Sequence, residues 1–178
     1  IDNLPLLIAA LSEVPAVSGI QLGYANGDYF IVRPLRSDYM RERFSAPSGA
    51  GFVVDNIDSV APSGRMLSRS YFDANLNLVR QNDPVGSDYD PRLRPWYIEA
   101  GNTPRATQPY LFRFVGEVGT TAMLKTPQAG VVIASDVSLE NFSETMARFR
   151  STPGSAALLL STDGRVLAYP DSARIVQE

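Results

Sequence analysis

One stretch of the sequence, residues 89 to 100, concentrates side chains that could bind a small charged molecule. It reads Tyr-Asp-Pro-Arg-Leu-Arg-Pro-Trp-Tyr-Ile-Glu-Ala and contains the only tryptophan of the chain. Arginine, tryptophan and tyrosine all carry hydrogen-bond donors, and the two aromatic types present them on rigid apolar rings. Pro91 and Pro95 stiffen the backbone around Arg94 and so limit where its guanidinium can lie. We therefore take this stretch as the first candidate for a binding site.

The residue types that are absent narrow the chemistry further. The 178 residues include no cysteine and no histidine, and Lys125 is the only lysine. Thiol catalysis, disulfides, zinc sites built on cysteine or histidine, and Ser-His-Asp triads are thereby excluded. The sequence favours a binding domain over an enzyme and predicts no metal and no cofactor; a carboxylate-based hydrolase is the weakest alternative. A pocket without histidine is expected to bind with little pH dependence between about pH 5 and 8.

The composition predicts a soluble globular domain. Hydrophobic residues make up 44% of the chain and charged residues 20%, and the net charge of −3 does not favour a nucleic-acid partner. No apolar run reaches the roughly 18 residues that cross a bilayer, and no signal peptide is visible. The chain therefore reads as a trimmed soluble module.

Hydrophobic periodicity predicts a mixed α+β fold. An amphipathic helix is expected from Leu4 to Val14, and Asn26-Gly27 between two apolar runs indicates a β-hairpin. Residues 81–92 form a long polar connector that could act as a lid. A short helix is expected at Trp96–Ala100. Further strands are expected at Gly51–Val60, Arg65–Phe72, Gln108–Val115, Thr120–Thr126 and Gly130–Val137.

The order of elements at the start of the chain recurs near its end. Ser138 is the expected N-cap of a second amphipathic helix, whose apolar stripe runs from Leu139 to Phe149. A strand, an Asp163-Gly164 turn and another strand follow, which repeats the order of the first copy. Because a lone hairpin cannot bury a face by itself, we expect this second unit to be incomplete.

Four sequence markers together resemble the double Cache family of extracytoplasmic sensor domains. They are the Asp-Pro-Arg-x-Arg-Pro-Trp-Tyr-x-x-Ala string that begins at Asp90, Pro109-Tyr110, Gly130-Val131-Val132 through Asp136, and Leu167-Ala168-Tyr169-Pro170-Asp171. The resemblance runs from about Leu4 to Tyr169 and is closest to sensors attached to nucleotide cyclases. It implies an α+β fold with an antiparallel PAS-like sheet and flanking helices. Residues 1–137 would form the membrane-distal, ligand-binding module, and residues 138–178 a connecting helix and part of the membrane-proximal module.

The resemblance also implies a set of ligand-binding residues. One branch of the family binds amino acids through side chains whose types and order recur here. A free amino acid presents a carboxylate and an ammonium on one carbon, so Arg94 would hold the carboxylate and Asp136 the ammonium. The resemblance further implies a small-molecule ligand and a periplasmic domain of a membrane-anchored signalling protein, with homodimer formation left open. The implied site residues are Tyr89, Arg94, Trp96, Tyr97, Tyr110 and Asp136.

Other interpretations of these residues remain open at this point. Trp96 and Tyr97 could be framework that holds the connector against the sheet, and Asp136 could cap the helix that follows it. The same fold could bind a simple carboxylate or an amine. The module could also be structural, or mediate dimerisation without any ligand.

Overall fold

A ten-stranded antiparallel sheet organises the chain in the computed structural model, which describes residues 3–62, 64–127, 130–139, 152, 155–160, 164 and 166–168. The strands are β1 (Gly19–Gly23), β2 (Tyr29–Pro34), β3 (Phe52–Asp58), β4 (Met66–Phe72), β5 (Leu78–Gln81), β6 (Val85–Gly86), β7 (Arg105–Ala106), β8 (Tyr110–Leu111), β9 (Val118–Lys125) and β10 (Val132–Ser138). The helices are α1 (Leu4–Glu13), α2 (Asp38–Arg43), a 3-10 turn (Pro91–Leu93) and α3 (Pro95–Ile98). The predicted α+β fold with an antiparallel sheet is confirmed.

The first and the last strand of this sheet along the chain, β1 and β10, are neighbours in its interior. The order is β5-β4-β3-β2-β1-β10-β9-β7, with β6 paired to β4 and β8 paired to β9. Strand β1 therefore lies between β2 and β10, and Gly19 of β1 pairs with Asp136 of β10. This register places Asp136 in the middle of the sheet, far from either edge.

Side chains alternate between two faces of the sheet because successive residues of a strand point in opposite directions. On the helix face, α1 packs its apolar stripe against the sheet. Leu11 is fully buried there, because Leu4, Leu7, Ile8 and Leu11 recur at helical spacing. The residues of this core from the strands are Ile20, Val32, Val54 and Phe72.

The opposite face, which we call the cavity face, is covered by the 3-10 turn, α3 and residues 107–117 in place of a long helix. Aromatic side chains dominate it. Those buried or half-buried on this side are Tyr29, Tyr71, Tyr89, Trp96, Tyr110, Phe112 and Phe114. Because several of these rings carry a hydroxyl or an indole N–H, this face can bury polar groups as well as apolar ones.

Several predicted elements are confirmed, with shifted ends. The first helix runs from Leu4 to Glu13, and the Asn26-Gly27 hairpin joins β1 to β2, with Gly27 at a φ of 91°. The short helix lies at Pro95–Ile98, slightly before the predicted range. A second, two-stranded sheet pairs β11 (Leu159–Leu160) with β12 (Val166–Ala168), near the predicted second hairpin.

Two predicted elements are wrong in detail. The expected strand over Gln108–Val115 is reduced to Tyr110–Leu111, because the chain turns back at once: Phe112 N–H donates to the Glu117 carbonyl, and Gly116 takes a φ of 74°. The connector at residues 81–92 is not a free loop, since its first part forms the end of β5 and all of β6, both paired with β4. Polar, turn-rich composition concealed these short edge strands.

The second unit stays a prediction. Ser138 is the last residue of β10, and Leu139 after it is helical. The rest of the predicted helix, residues 140–151, lies outside the described residues. Over the part of the chain that is described, no helix is long and apolar enough to cross a membrane.

Candidate ligand-binding site

A cavity lies between the cavity face of the sheet and the elements that cover it. Five of the six predicted site residues line it, although they come from three separate segments of the chain. They are Tyr89, Arg94, Trp96, Tyr110 and Asp136. The cavity is small, about 30 Å³ in this structure. The predicted arginine and the predicted aspartate therefore face one enclosed space.

Asp136 is the acidic group of this cavity. It lies on β10, where its side chain is almost entirely buried. Gln21 Nε2 and Thr121 Oγ1 each donate a hydrogen bond of 2.7 Å to its Oδ1. Burial raises the pKa of this carboxyl to about 6, although these hydrogen bonds and the nearby guanidinium of Arg33 oppose the shift. Asp136 is thus ionised at neutral pH, but only narrowly.

A chain of hydrogen bonds fixes the orientation of that carboxylate. Tyr29 Oη donates to Gln21 Oε1 over 2.9 Å, and the hydroxyls of Tyr110 and Thr121 lie 2.7 Å apart. Because the Thr121 hydroxyl gives its only hydrogen to Asp136, Tyr110 must be the donor in the second pair. Both branches end on Oδ1, so Oδ2 is the oxygen left for another donor.

Arg94 is held by the turn between two short helices. It follows the 3-10 turn and occupies the N-cap position of α3 with an extended backbone, and Pro95 begins the helix. Asp90 caps the 3-10 turn by accepting a 2.9 Å hydrogen bond from Arg92 N–H. The Arg94 guanidinium lies 5.7 Å from the centre of the Tyr110 ring. The two prolines and the aspartate cap therefore set where Arg94 enters the cavity.

Trp96 packs the 3-10 turn and α3, which carry Arg94, against the sheet. Its side chain is 1% exposed and packs 6.3 Å from the Tyr29 ring. It also lies directly over Gly23 of β1, where an added Cβ would lie 2.6 Å from Trp96 Cη2. Any larger residue at position 23 would push the indole away, so this glycine permits the close approach of α3 to the sheet.

The structure does not bring Tyr97, the sixth predicted site residue, to the cavity. Its hydroxyl donates a 3.0 Å hydrogen bond to the Gly130 carbonyl, and its ring packs edge-on against Trp96. Neighbouring residues of a helix point about 100° apart, and here the Tyr97 side chain is directed toward Gly130 while Trp96 lines the cavity. Within the Arg-x-Arg motif, likewise, Arg92 pairs with Asp90 and only Arg94 reaches the cavity.

The described part of the chain also shows what the sequence interpretation missed. Gln21, Tyr29 and Arg33 line the cavity, and Thr121 supports Asp136 from beneath. Gln21 and Arg33 were detectable, since each is a polar residue inside an otherwise apolar run that alternates as a strand. A polar residue on the buried side of a strand needs a partner, which is itself a sign of a site.

The segment that covers the cavity also differs from the prediction. Of residues 81–92, only Tyr89 lines the cavity, whereas most of residues 110–117 do. Phe114 occupies the centre of this cover: its ring lies 5.0 Å from that of Tyr89 and 6.4 Å from that of Tyr29. The expectation of a lid over 81–92 is therefore corrected to a cover formed by 110–117, which will be called the cover segment.

Comparisons with known proteins agree on the class of domain. No family model matches the chain. In sequence, it is 31% identical over 179 aligned positions to Adenylate cyclase 1 of Rhizobium meliloti, an alignment that covers 96% of this chain and 26% of that protein. It is 32% identical over 117 positions to the methyl-accepting chemotaxis protein PscA of Pseudomonas syringae, which covers 61% and 18%. The chain thus spans about a quarter of the first relative and less of the second.

Solved structures give the same result for the fold. The ligand-binding domain of the Pseudomonas fluorescens chemoreceptor CtaA in complex with L-serine matches 98% of this chain and 56% of its own, at a TM-score of 0.55 and 23% identity. The corresponding domain of the Campylobacter jejuni chemoreceptor Tlp3 with L-valine matches 99% and 54%, at a TM-score of 0.54 and 18% identity. These likenesses define the fold as that of a chemoreceptor ligand-binding domain. The chain thus has the fold of the Cache-type sensor domains, which the resemblance of its Arg-Pro-Trp-Tyr motif implied.

Proposed function

We propose that this domain binds a free α-amino acid, with Arg94 on the carboxylate and Asp136 on the ammonium. The observation that carries the proposal is that these two groups, forty-two positions apart in the sequence, line one cavity. A planar guanidinium can donate two parallel hydrogen bonds to a carboxylate. A buried carboxylate whose Oδ1 is already occupied can offer Oδ2 to an ammonium. The likeness to domains solved with L-serine and L-valine supports this choice of ligand.

The aromatic lining suits the same ligand. Tyr89 and Tyr110 flank the space between the two charged groups, and tyrosine faces attract cations such as an ammonium. Trp96 also lines the cavity, and its side chain is 1% exposed. Charge pairs beside buried apolar rings are stronger than in water, because the dielectric around them is lower.

Binding requires the cover segment to move. Sites for small molecules usually enclose about 300 Å³ or more, whereas this cavity holds about 30 Å³. Phe114 fills the middle of the space between Tyr29, Tyr89 and Arg33. We propose that the ligand displaces the Phe114 ring, and that the resulting shift of residues 110–117 is the first step of the signal.

The remaining properties of the whole protein are part of the proposal. We propose that the domain itself is not an enzyme and that it is the extracytoplasmic part of a membrane-anchored signalling protein, with residues 1–137 as the ligand-binding module and 138–178 leading to a second one. The similarity to Adenylate cyclase 1 supports a nucleotide cyclase as the output. Whether two copies pair is a separate question that sedimentation with and without ligand would answer.

Calorimetry of the 178-residue chain with the twenty amino acids tests the ligand. We expect at least one amino acid to bind and Arg94→Ala to weaken that binding at least about thirtyfold, because truncating one partner of a buried charge pair costs about 2 kcal/mol or more. Arg92→Ala is the matched control, since this arginine is two residues away, exposed, and paired with Asp90. It should change the affinity less than threefold.

Three results would contradict the proposal. Binding of simple organic acids or amines with no response to any amino acid would favour the alternative ligands. No thermal shift with any metabolite would favour a structural module, since a ligand at a hundred times its Kd adds about 2.7 kcal/mol to stability. Equal losses in the Arg94 and Arg92 variants would remove Arg94 from the site.

A further inference from the structure

Arg33 is a buried cation that the sequence motif does not include. It lies on β2, is 5% exposed, and lines the cavity. Its Nη1 donates a 3.1 Å hydrogen bond to Asp55 Oδ2, the one hydrogen bond that its guanidinium makes within the described residues. A guanidinium carries five N–H groups. Most of its donors are therefore unused by the protein.

Those unused donors face the cavity. In the described part of the chain, no fully buried side-chain nitrogen or oxygen lacks a hydrogen-bond partner. The Arg33 nitrogens without a partner must then touch open space, and the space beside this residue is the cavity. The guanidinium is also held in place, because it lies 5.3 Å from the centre of the Phe44 ring and 5.2 Å from that of Phe114. The unused N–H groups of Arg33 are therefore held in position to donate to a ligand in the cavity.

Asp55 does not neutralise Arg33 fully, because it is shared. Arg69 donates two hydrogen bonds to it, Nε to Oδ1 at 2.6 Å and Nη2 to Oδ2 at 3.0 Å, and so takes the two-pronged position. One fully buried carboxylate thus serves two guanidinium groups. The trio of Arg33, Asp55 and Arg69 keeps one positive charge at the edge of the cavity.

The α-carboxylate and the ammonium of the ligand do not neutralise the positive charge of the trio of Arg33, Asp55 and Arg69. Under the proposed function, Arg94 and Asp136 are matched by the carboxylate and the ammonium of the amino acid. The cover segment adds Arg113 and Glu117 to the lining, and Arg113 is paired with Asp88 over 2.6 Å. A neutral amino acid therefore brings no negative group of its own to the Arg33 donors that face the cavity.

The register of the sheet places Arg33 where a ligand side chain would end. Gly19 pairs with Asp136 on one side, and on the other an added Cβ at Gly19 would lie 3.3 Å from Arg33 Cγ. Asp136 and Arg33 are thus two strands apart, about 10 Å between backbones, with no side chain on the strand between them. An ammonium at Asp136 leaves room for a side chain of two or three carbons to point along Gly19 toward Arg33.

We propose that the domain is selective for acidic amino acids, with Arg33 binding the side-chain carboxylate of an aspartate-like or glutamate-like ligand. This inference rests on the proposed function and specifies the ligand class of the same site. The ligand carboxylate would accept hydrogen bonds from the unused Arg33 donors and bring a negative charge to the trio. Displacement of Phe114 from its position over Arg33 would expose those donors at the moment of binding.

Calorimetry with matched ligand pairs tests this. L-glutamate and L-glutamine have the same shape and differ in charge, as do L-aspartate and L-asparagine, and L-alanine has no side-chain acceptor. For the wild-type 178-residue chain we expect at least one acid to bind about tenfold or more tighter than its amide and than L-alanine, because hydrogen bonds to charged groups contribute about 1.5–3 kcal/mol. Arg33→Gln should abolish that preference, measured as the ratio of acid affinity to L-alanine affinity, because a change that acts through Asp136 affects both ligands alike.

Arg69→Gln is the matched control. It also removes an arginine from Asp55 and leaves that carboxylate to Arg33 alone, but it keeps the Arg33 donors at the cavity, so the ratio of glutamate to alanine affinity should fall less than in Arg33→Gln. If Arg33→Gln fails to fold, Arg33→Lys supplies the comparison: it keeps the charge, loses the planar donor fork, and should reduce the preference severalfold.

The outcomes separate this inference from the proposed function. Wild-type protein that binds neutral amino acids as tightly as acidic ones overturns the inference and leaves the proposed function standing. Equal loss of the preference in the Arg33 and Arg69 variants also overturns it, since Arg33 would then act only through Asp55. Failure of every amino acid to bind refutes the proposed function itself.

Discussion

On the helix face of the sheet, every side chain of the core that α1 covers is apolar, whereas on the cavity face Asp136, Arg33 and Asp55 are buried among aromatic rings. The same strands build both faces. Ile20 and Gln21, Val32 and Arg33, or Val54 and Asp55 are sequence neighbours that point in opposite directions. A single strand therefore contributes apolar side chains to the core under α1 on one face and polar side chains to the cavity on the other.

The comparison separates stability from binding. Apolar burial on the helix face stabilises the fold without any directional requirement. Burial of charges on the cavity face costs free energy unless each charge finds a partner. The cavity face keeps such groups in an only partly matched state, so we expect it to be less stable than its apolar counterpart and more responsive to a ligand.

The largest expected effect lies on the helix face. Leu11→Ala removes a fully buried side chain from the core under α1 and should lower the free energy of unfolding by about 2–5 kcal/mol, from lost burial and the cavity left behind. Urea titration measures this. Ligand affinity of the folded fraction should not change, because α1 and the cavity lie on opposite faces. A Kd that shifts by more than threefold would mean that the two faces are coupled.

The second largest expected effect is an increase in the free energy of unfolding, on replacement of Asp136. The pKa of Asp136, about 6, lies above the ordinary value of 3.8, so ionisation destabilises the empty fold as pH rises through this range, and the cost is fully present at pH 7. Asp136→Asn keeps the acceptor for Gln21 and Thr121 but carries no charge. It should raise the free energy of unfolding at pH 7 by about 3 kcal/mol while abolishing amino-acid binding.

The pH profile of that variant supplies its control. The difference in stability from wild type should shrink as the pH falls below 6 and disappear below about pH 3, where Asp136 is protonated in both the folded and the unfolded state. A variant that is destabilised at pH 7 would show that the carboxylate is satisfied in the empty site. A variant that still binds the amino acid would exclude Asp136 as the partner of the ammonium.

Local sequence signals were enough for the main elements of the sheet, and the family resemblance implied five residues that line one cavity. The Asn26-Gly27 turn and the helical spacing of Leu4, Leu7 and Leu11 predicted elements that the structure contains. The Arg-Pro-Trp-Tyr motif was informative because two prolines and a helix start determine the direction of Arg94 locally. Where the geometry is set by neighbours in the sequence, the sequence predicts it well.

Contacts between strands that are far apart in the sequence could not be predicted from local sequence signals. Arg33 and Asp55 are brought together only by the pairing of β2 with β3, and Gln21 meets Asp136 only because β10 lies beside β1. Tyr97 was assigned to the site by type and position, although the 100° step of a helix turns it away. The raised pKa of Asp136 has the same origin, since it depends on burial that the sequence does not state.

The smallest expected effect follows from that pKa and revises the expectation of pH-independent binding. Asp136 must be ionised to bind an ammonium, and its pKa in the empty site is about 6. Lowering the pH from 7 to 5 reduces the ionised fraction about tenfold, so the Kd should rise about tenfold. The groups that interact electrostatically with Asp136 are Arg33, Arg94 and three tyrosines, Tyr29, Tyr89 and Tyr110; burial raises the pKa of each tyrosine above its usual value, and therefore further from this range. Calorimetry with a neutral amino acid of the panel isolates the effect, because an acidic ligand begins to titrate on its own near pH 4. A Kd that does not change between pH 7 and 5 would mean that Asp136 has an ordinary pKa in the empty site. Its buried charge would then be fully matched by its partners, and the cavity face would not be less stable than the helix face on its account.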